Sequence, residues 1–515
     1  MIQVLRSQKA SMNQHTRSDH HSKGDTKGDV LHYIYGVFIR GLLGTALSAA
    51  AIGPVMAISP QPSADTLANS PDSTSPLSAA PQSSRRSTQL AGRTIQRSEV
   101  RSIWLDRETI VTAGSREGLA RVFERFKAAG INTVFVETVN AGYPIYPSQV
   151  APEQNPLTRQ WDPLQAAVDL GKAHNMEIHA WVWIFAAGNQ AHNPLVGQPA
   201  SYPGPILSAR PDWAGYDRSG NLIIPGQTKP FLDPANPEVR QYLFDLLGEI
   251  ASRYDVDGIQ FDYIRYPFQD AANNRTFGYG TAARQQFQQL TGVDPIELSP
   301  QNRDQRQRYL WNQWTAFRIQ QVTSFVSEAS QRLRRQRPEL ILSAAVFADD
   351  TYKRQQEIQQ DWEDWADQGL VNWIVLMSYA SNTRDFEALI RPWVVESSYR
   401  STQVIPGIRL LNLPAAAALD QLQLLGQLAT SGYALFAADN LNGEMQAMLA
   451  STQGENQQAA MPSDELAIAL PAANNARTVC LDSGNEPQPA ILLQLKKCDG
   501  WFGCDRHSQV FTEYT

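Results

Sequence analysis

The sequence predicts an α/β protein whose main domain, residues 99–450, is a (β/α)8 (TIM) barrel, and three observations indicate this fold. Short β-rich runs alternate with amphipathic segments from residue 99 onward, which means parallel strands joined by crossover helices. There are eight such runs over about 350 residues, as this barrel requires. Two connections are too long to be ordinary loops. The runs are Val100–Asp106, Thr133–Thr138, Glu177–Phe185, Gly258–Ile264, Ile341–Ala348, Trp373–Tyr379, Gln403–Leu410 and Tyr433–Asp439.

The segments between the runs have the apolar spacing of helices that cover one face of a sheet. The two long connections are residues 186–236, after the third run, and 267–308, after the fourth. Barrel enzymes build their substrate sites from the segments that follow the strands, so we expect both insertions to frame a site. The predicted helices are Arg116–Ala129, Pro163–His174, Pro237–Tyr254, Tyr309–Gln336 and Gln355–Gln368.

Three further segments flank the barrel. Residues 1–58 end in an apolar run, strongest over 41–57, and Val55-Met56-Ala57 fits a signal-peptidase site, so we predict export to the periplasm or cell surface. An uncleaved membrane anchor formed by residues 38–57 is the rival interpretation, because about 20 apolar residues can span a bilayer. Residues 59–98 are a Ser/Pro/Gln-rich linker without hydrophobic periodicity.

The tail, residues 451–515, is predicted to be a linker followed by an unassigned region with all three cysteines of the chain. Cys498 and Cys504 could close a small disulfide loop, or the tail could be a poorly ordered extension. The formal net charge of −7 argues against a nucleic-acid partner, which would call for a basic face.

The fourth run is the most informative part of the sequence. Alternate residues of a strand share a face, so Gln260 and Asp262 point one way while Ile259 and Phe261 point the other. An apolar face suits packing against helices, and a polar face that ends in an aspartate suits the inside of a catalytic barrel. Asp262 is therefore predicted to take part in catalysis.

Several other strand ends carry polar groups. A ring of acids with Tyr and Arg suits glycosidic chemistry, in which one carboxylate attacks or stabilises the sugar cation and a second protonates the leaving oxygen. Glu137 is predicted as the acid/base or else as a hydrogen-bond acceptor, and Asp349 is the alternative acid/base. The strand-end candidates are Asp106, Glu137, Asp262, Asp349, Asp350, Tyr379, Arg409 and Asp439.

Some of these residues also have structural interpretations. Asp106 could pair with an arginine, Asp439 could cap the final helix, and Arg409 is expected to pair with a barrel carboxylate. The aromatic residues of the third run would fill the barrel mouth, and those of the first insertion would either stack on sugar rings or pack the insertion on itself. The residues predicted to contact substrate are Asp106, Tyr143, His179, Trp181, Trp183, Trp213, Tyr263, Arg265, Tyr379, Arg409 and Asp439.

Other chemistries fit poorly. The sequence has no H-E-x-x-H, Gly-x-Ser-x-Gly, Walker or G-x-G-x-x-G motif, so no cofactor is predicted. The histidines at 174, 179 and 192 lack the spacing of metal ligands, and no metal site is predicted.

The run from Tyr254 to Pro267, YDVDGIQFDYIRYP, resembles the signature of the glycosyl hydrolase-like family 10 domain, also called the YngK-like family. Several blocks agree in order and spacing: Val100–Leu105, Gly130–Val134, Tyr143–Ser148, Asp162–Leu164, His179–Trp181, Pro211–Trp213, Leu232–Pro234 and Asn236–Arg240. The resemblance covers roughly residues 98–445 and is strongest over 100–267.

This resemblance implies a TIM-barrel glycoside hydrolase, usually exported, whose nucleophile ends strand four, here Asp262. It also implies a polysaccharide partner, with peptidoglycan glycan strands as the substrate of some members. Relatives often lack an acid at the end of strand two, so the role of Glu137 comes from this sequence alone. The predicted function is thus an exported glycoside hydrolase; the alternatives are a non-catalytic carbohydrate-binding barrel at the cell surface and a lyase or transglycosylase.

Overall fold

The computed structural model describes residues 99–428 and 430–459, in which eight parallel strands close into a barrel. Each strand pairs with the next along the chain, and β8 pairs with β1 to close the sheet. The strands are β1 Val100–Leu105, β2 Thr133–Asn140, β3 Glu177–Trp183, β4 Gly258–Asp262, β5 Ile341–Phe347, β6 Trp373–Met377, β7 Gln403–Arg409 and β8 Gly432–Phe436. The predicted (β/α)8 barrel is confirmed.

The predicted signal or anchor segment, the linker and residues 460–515 of the predicted tail, with its cysteines, lie outside the described residues. Residues 451–459, which were predicted to begin the tail, belong instead to the last helix. In the part of the chain that the structure describes, no helix is long and apolar enough to cross a membrane.

Helices surround the barrel, and most of their bounds agree with the sequence. Pro163–His174 was predicted to the residue, and the longest helix begins four residues before the predicted Tyr309. The helices are α1 Arg107–Ala113, α2 Arg116–Ala128, α3 Pro163–His174, α4 Pro205–Ala209, α5 Pro237–Arg253, α6 Thr281–Thr291, α7 Gln305–Gln336, α8 Thr351–Glu357, α9 Trp362–Asp367, α10 Thr383–Val394, α11 Ala415–Gln427 and α12 Gly443–Ala459.

One predicted helix is wrong. The segment Gln355–Gln368 was expected to be continuous, but α8 ends at Glu357 and α9 begins at Trp362. Between them Gln359 has a φ of 52°, in the left-handed region that an α-helix cannot contain.

The barrel interior is filled below the strand ends by an aromatic floor, formed by Trp104, Phe135, His179 and Trp373. The His179 ring stacks on Trp373 with 4.8 Å between ring centroids, and Phe135 meets His179 edge-on at 5.4 Å. Trp104 Nε1 donates to Gln260 Oε1 across the barrel over 2.6 Å, which confirms that this face of β4 points inward.

Glycine at the start of β4 makes room for this floor. A Cβ atom on Gly258 would lie 2.3 Å from His179 Nδ1 and 2.6 Å from the carbonyl oxygen of Ile341. No side chain larger than hydrogen fits there without moving the imidazole or the neighbouring strand.

Two insertions extend from the carboxyl ends of adjacent strands, residues 184–236 after β3 and 263–304 after β4. The first begins and ends as two antiparallel arms, residues 186–192 and 227–232. Ala186 bridges Phe231, the Ala187 N–H donates to the Pro230 carbonyl at 2.9 Å, and the Gln190 N–H donates to the Thr228 carbonyl at 3.1 Å. We call this pair of segments the insertion ladder.

The second insertion is anchored by its own hydrophobic cluster, which packs α6 against α7. This cluster contains Ala235, Tyr279, Ala283, Phe287, Leu298, Leu310, Trp311 and Trp314. Because β3 and β4 are neighbours in the barrel, the two insertions lie side by side at the carboxyl ends of the strands, where barrel enzymes have their sites.

Candidate active site

Asp262 ends β4 with its side chain inside the barrel, and it is 7% exposed. Its Oδ2 accepts a hydrogen bond from Trp181 Nε1 at 2.8 Å, and its Oδ1 accepts from the backbone N–H of Tyr263 at 2.6 Å. Tyr263 has a φ of 46°, a conformation that non-glycine residues seldom adopt. Such strained backbone is often found at functional sites, and here it directs an amide at the carboxylate.

Two buried cations lie beside Asp262. Burial raises the pKa of the Asp262 carboxyl, while the hydrogen bonds from Trp181 and Tyr263 and the charges of Arg265 and Lys229 oppose the rise. Arg265 comes from the segment after β4, and Lys229 from the insertion ladder. The carboxylate is therefore held in a dry environment that nevertheless supplies positive charge.

Arg265 is enclosed by aromatic rings. Its guanidinium carbon lies 4.8 to 5.5 Å from the ring centroids of four residues, and its Nη1 donates to the Tyr266 carbonyl at 2.9 Å. These rings restrict the guanidinium to one place near Asp262. They belong to Phe231, Tyr263, Phe268 and Phe347.

Glu137, on β2, is the second inward carboxyl group, and it is 4% exposed. Its Oε2 accepts from the backbone N–H of Arg107 at 2.6 Å, and its Oε1 accepts from Asn140 Nδ2. Burial raises the pKa of Glu137 to about 7 against the opposing charge of Arg107 and the hydrogen bond from Asn140. Its protonated form is therefore much more accessible near neutral pH than that of an ordinary glutamate.

The Arg107 side chain links Glu137 to the first insertion. Its Nη1 lies 2.6 Å from Nδ1 of His192 and 3.4 Å from Oδ1 of Asn140. Arginine can only donate, so His192 Nδ1 must accept, which leaves a neutral imidazole with its proton on Nε2. Burial and the charge of Arg107 lower the pKa of His192 to about 3, in agreement with this tautomer.

Trp181 lies on β3, between the two strands that carry the carboxyl groups. It is the pairing partner of Glu137 in the register of β2 and β3, and its indole N–H binds Asp262. Its ring also packs against Phe436 at 6.3 Å. The hydrogen bond from Trp181 and the burial of Asp262 agree with the predicted inward direction of these two side chains, while the catalytic roles of Asp262 and Glu137 stay predictions.

Tyr379 and Arg409 lie on the far side of Asp262. Tyr379 stacks on Phe436 at 5.5 Å, and burial together with the negative charge of Asp262 raises the pKa of its hydroxyl far above the usual value. Arg409 ends β7, beside Phe436 in the register, and its charge acts on Tyr379 in the opposite direction. An ion pair between Arg409 and a barrel carboxylate stays a prediction.

Asp106 and Asp439 have structural contacts. Asp106 caps α1, since its Oδ1 accepts from the Thr109 N–H at 2.8 Å, and its Oδ2 accepts from the Asp439 N–H at 3.1 Å. The expectation that Asp439 caps the final helix is wrong: α12 is capped by Asn442, whose Oδ1 accepts from the Met445 N–H at 2.8 Å.

Asp349 lies just beyond β5, where its Oδ1 pairs with Lys353 Nζ at 2.7 Å. About a third of its side chain is exposed, with 34% accessible. Asp350 caps α8 by accepting from the Lys353 N–H. These contacts describe a partly exposed ion pair for Asp349 and a helix cap for Asp350.

The remaining aromatic predictions divide into two groups. The Trp183 ring packs at a tilt against Tyr263, with 4.3 Å between centroids, and Tyr143 lies edge-on to His192 at 5.6 Å, so both border the candidate site. His179 belongs to the floor beneath the candidate site. Neither of its ring nitrogens has a hydrogen bond among the described residues, although Nε2 lies 3.6 Å from Glu177 Oε2.

Trp213 packs within the first insertion. Its ring lies 4.4 Å from the Arg210 guanidinium and 5.5 Å from Tyr242, and its Nε1 donates to Glu238 at 3.2 Å. Of the two roles that the sequence allowed, these contacts support packing of the insertion on itself rather than stacking on a sugar.

The sequence reasoning missed four residues of this site: Lys229, Arg107, His192 as a partner of Arg107, and Phe436. Lys229 and His192 lie in an insertion without periodicity, so no pattern shows which way they point. Phe436 could have been found, because it ends a strand just as Asp262 does. In the described ranges, no three His, Cys, Asp or Glu residues are grouped to hold a metal ion.

Comparison with known proteins agrees with the fold. The glycoside hydrolase domain of PgaB (BpsB) from Bordetella bronchiseptica superimposes with a TM-score of 0.50 at 13% identity, over 68% of this chain and 98% of that domain. At this identity the likeness concerns the fold alone. The barrel, with buried carboxyl groups at its strand ends, has the architecture of a TIM-barrel glycoside hydrolase.

The family follows from the sequence match. The Glycosyl hydrolase-like 10 family matches residues 99–422, and the chain belongs to that family. Among its relatives are "Glycosyl hydrolase DigH" of Escherichia coli K12, 27% identical over 36% of this chain and 43% of DigH, and "Glycosyl hydrolase YngK" of Bacillus subtilis, 24% identical over 34% of each chain. The match thus spans less than half of either relative. The family assignment made from the YDVDGIQFDYIRYP run is confirmed.

Proposed function

We propose that the chain is an exported glycoside hydrolase that cleaves a polysaccharide by a two-carboxylate mechanism, with peptidoglycan glycan strands as the first candidate substrate. The observation that carries this proposal is the pair of buried carboxyl groups at β2 and β4: Glu137 has one neighbouring arginine, whereas Asp262 has two cations beside it. Such pairs divide the acid and base roles of glycosidic cleavage. The family and the names of its relatives support the reaction class.

In this proposal Asp262 is the nucleophile or the stabiliser of the sugar cation. Arg265 and Lys229 supply positive charge that favours its ionised form, and the two hydrogen bonds fix the direction of its oxygens. A carboxylate held in this way can face the anomeric carbon without first losing a shell of water.

Glu137 is the proposed general acid/base. Its pKa of about 7 allows it to donate a proton to the leaving oxygen and to recover one at neutral pH. Asp349, the alternative from the sequence, fits this role less well because it is partly exposed and paired with Lys353.

We also propose that the protein is exported and that its partner is a glycan. The apolar run at 41–57 and its small-x-small site support secretion, and an anchored form at the cell surface would reach the same substrates.

The test is to compare the full chain with its Asp262→Asn and Glu137→Gln variants on peptidoglycan glycan strands, with and without stem peptides, beside a panel of neutral polysaccharides. New reducing ends are counted over time. We expect release by the wild type and a loss of about 1000-fold or more for Asp262→Asn, because the reacting carboxylate is gone. Glu137→Gln should lose less on aryl glycosides, whose leaving group departs without a proton.

A matched control is Asp233→Asn, which also neutralises a buried aspartate whose pKa burial raises to about 7. Asp233 accepts from the backbone N–H groups of Ala235 and Ala283, which belong to the hydrophobic cluster of the second insertion, so its variant should keep activity per folded molecule. Binding of one glycan by wild type and Asp262→Asn alike, with no release by either, would instead establish a carbohydrate-binding barrel. Anhydro or transferred ends would indicate a lyase or transglycosylase.

A further inference from the structure

Lys229 is a buried cation in an unusual place. It is 1% exposed, and lysine is among the residues that are seldom fully buried. It lies on the 227–232 arm of the insertion ladder, and its carbonyl accepts from Gln227 Nε2 at 2.7 Å. The ladder hydrogen bonds on either side, at Thr228 and Pro230, hold its backbone in place. The side chain therefore starts from a fixed point and has little freedom.

The side chain is directed toward the end of β4. Lys229 Nζ lies 5.8 Å from the Tyr263 ring centroid, and Arg265 lies over the same ring at 5.1 Å. Tyr263 adjoins Asp262 and gives its own N–H to that carboxylate. Two cations from different segments thus converge on the residue that orients Asp262.

We propose that Lys229 is a positioning residue of the candidate site, which holds the Asp262 carboxylate ionised and in place from the insertion ladder. The charged and titratable groups near Asp262 include Arg265 and Tyr263 after β4, Tyr379 after β6, Arg409 at the end of β7, and Lys229 itself. Trp181 adds a neutral donor from β3. Burial and the charge of Asp262 keep the Tyr379 hydroxyl neutral by raising its pKa, and Arg265 and Lys229 are cations whose charges favour the ionised carboxylate.

The contributions of the two cations are distinct. Arg265 follows Asp262 by three residues and is held by the aromatic rings around it, so its position is set by the same loop. Lys229 comes from the preceding insertion, and it joins that insertion to the carboxylate. The other arm of the ladder leads to His192, which binds Arg107 beside Glu137. One insertion thus contacts the surroundings of both carboxyl groups.

A double-mutant cycle tests the proposal without a substrate. The full chain, Lys229→Met, Asp262→Asn and the double variant are unfolded thermally at a series of pH values from neutral to acid. We expect Lys229→Met to lower the Tm by several degrees at neutral pH in the wild-type background, because it leaves a buried carboxylate with one cation fewer. In the Asp262→Asn background the loss should be much smaller, and it should also shrink at acid pH, where Asp262 is protonated.

Lys229→Arg is the conservative control, since it keeps the charge and should restore most of the Tm. Equal losses in both backgrounds and at every pH would overturn the proposal, because they would give Lys229 a purely space-filling role. If Lys229→Met folds only together with Asp262→Asn, the proposal is supported. If it folds in neither background, the fold needs Lys229 independently of Asp262 and the proposal fails.

A second experiment, which rests on the proposed function, measures the pH dependence of glycan cleavage. In Lys229→Met the acid limb of the pH–rate profile should move to higher pH, and Lys229→Arg should return it. An active wild type whose acid limb does not move would contradict the role of Lys229 alone. An inactive wild type would count against the proposed function, while the substrate-free cycle would still decide the present proposal.

Discussion

Replacing Glu137 by glutamine should change the pH dependence of stability by an amount that the structure defines. Burial raises the pKa of Glu137 from 4.5 to about 7 in the folded protein. A difference of about 2.5 units, at about 1.4 kcal/mol per unit, corresponds to about 3 kcal/mol. Because the folded pKa is the higher one, this stability is fully present below pH 4.5 and is lost as the pH rises through about 7. A glutamine at position 137 is neutral at every pH, so the Glu137→Gln variant has no such loss of stability.

The free energy of unfolding of Glu137→Gln, relative to the wild type, should therefore rise by about 3 kcal/mol between pH 4.5 and about pH 8.5. A constant offset of about 1–3 kcal/mol is expected in addition, because an amide nitrogen must face one of the donors, Arg107 N–H or Asn140 Nδ2. The test therefore uses only the pH dependence of the difference in unfolding free energy between the variant and the wild type. Urea unfolding followed by tryptophan fluorescence, from about pH 5 to about pH 9, measures it.

Glu249→Gln is the matched control because its shift has the opposite sign. Burial would raise the pKa of Glu249, but hydrogen bonds from Ser148, the Gln149 N–H, Tyr146 and Arg253 outweigh it and lower the pKa. That variant should be less stable than the wild type at neutral pH, with a deficit that disappears as the pH falls. A relative stability of Glu137→Gln that stays flat across the whole range would refute the assignment of a raised pKa to Glu137.

Three other substitutions separate roles within the site. Trp181→Phe removes the 2.8 Å hydrogen bond to Asp262, so kcat should fall about 10- to 100-fold and the acid limb of the pH–rate profile should move upward. Asp106→Ala removes the cap of α1 and should cost about 1–2 kcal/mol by urea unfolding, and unchanged activity per folded molecule would exclude a contact with substrate. Asp349→Asn breaks a partly exposed ion pair, so stability should change by less than about 1 kcal/mol; a 100-fold loss of activity would instead restore it as an acid/base candidate.

The fold could be predicted because its signal is local and repeated. Each strand is indicated by a short β-rich run, and each crossover helix by apolar residues at helical spacing. Because this alternation occurs eight times, it predicts the barrel even where the bounds of one element are wrong. The helix break at Gln359 could not be predicted, because the residue type of a non-glycine residue does not indicate a left-handed backbone conformation. Capping by Asn442 rather than Asp439 was missed for a similar reason, since both residue types are common caps.

The candidate site was predictable only where it is built on strands. Asp262, Glu137 and Trp181 follow from alternation along a strand, which fixes the direction of each side chain. Lys229 and His192 depend on how the insertion folds back along itself, and this pairing joins residues about 40 apart that share no pattern. Trp213 shows the converse error, because an aromatic residue in an insertion near a site can be used entirely for packing.

The aromatic floor beneath the strand ends has a consequence for how a polymer would meet this protein. The barrel interior is closed at its base by the aromatic floor of Trp104, Phe135, His179 and Trp373. Gly258 contributes because it lets the His179 imidazole pack directly against β4. A long chain cannot be threaded through the barrel, so under the proposed function a polysaccharide would lie across the rim with one bond close to Asp262. Both cleaved ends would then have to depart by the side from which the chain arrived.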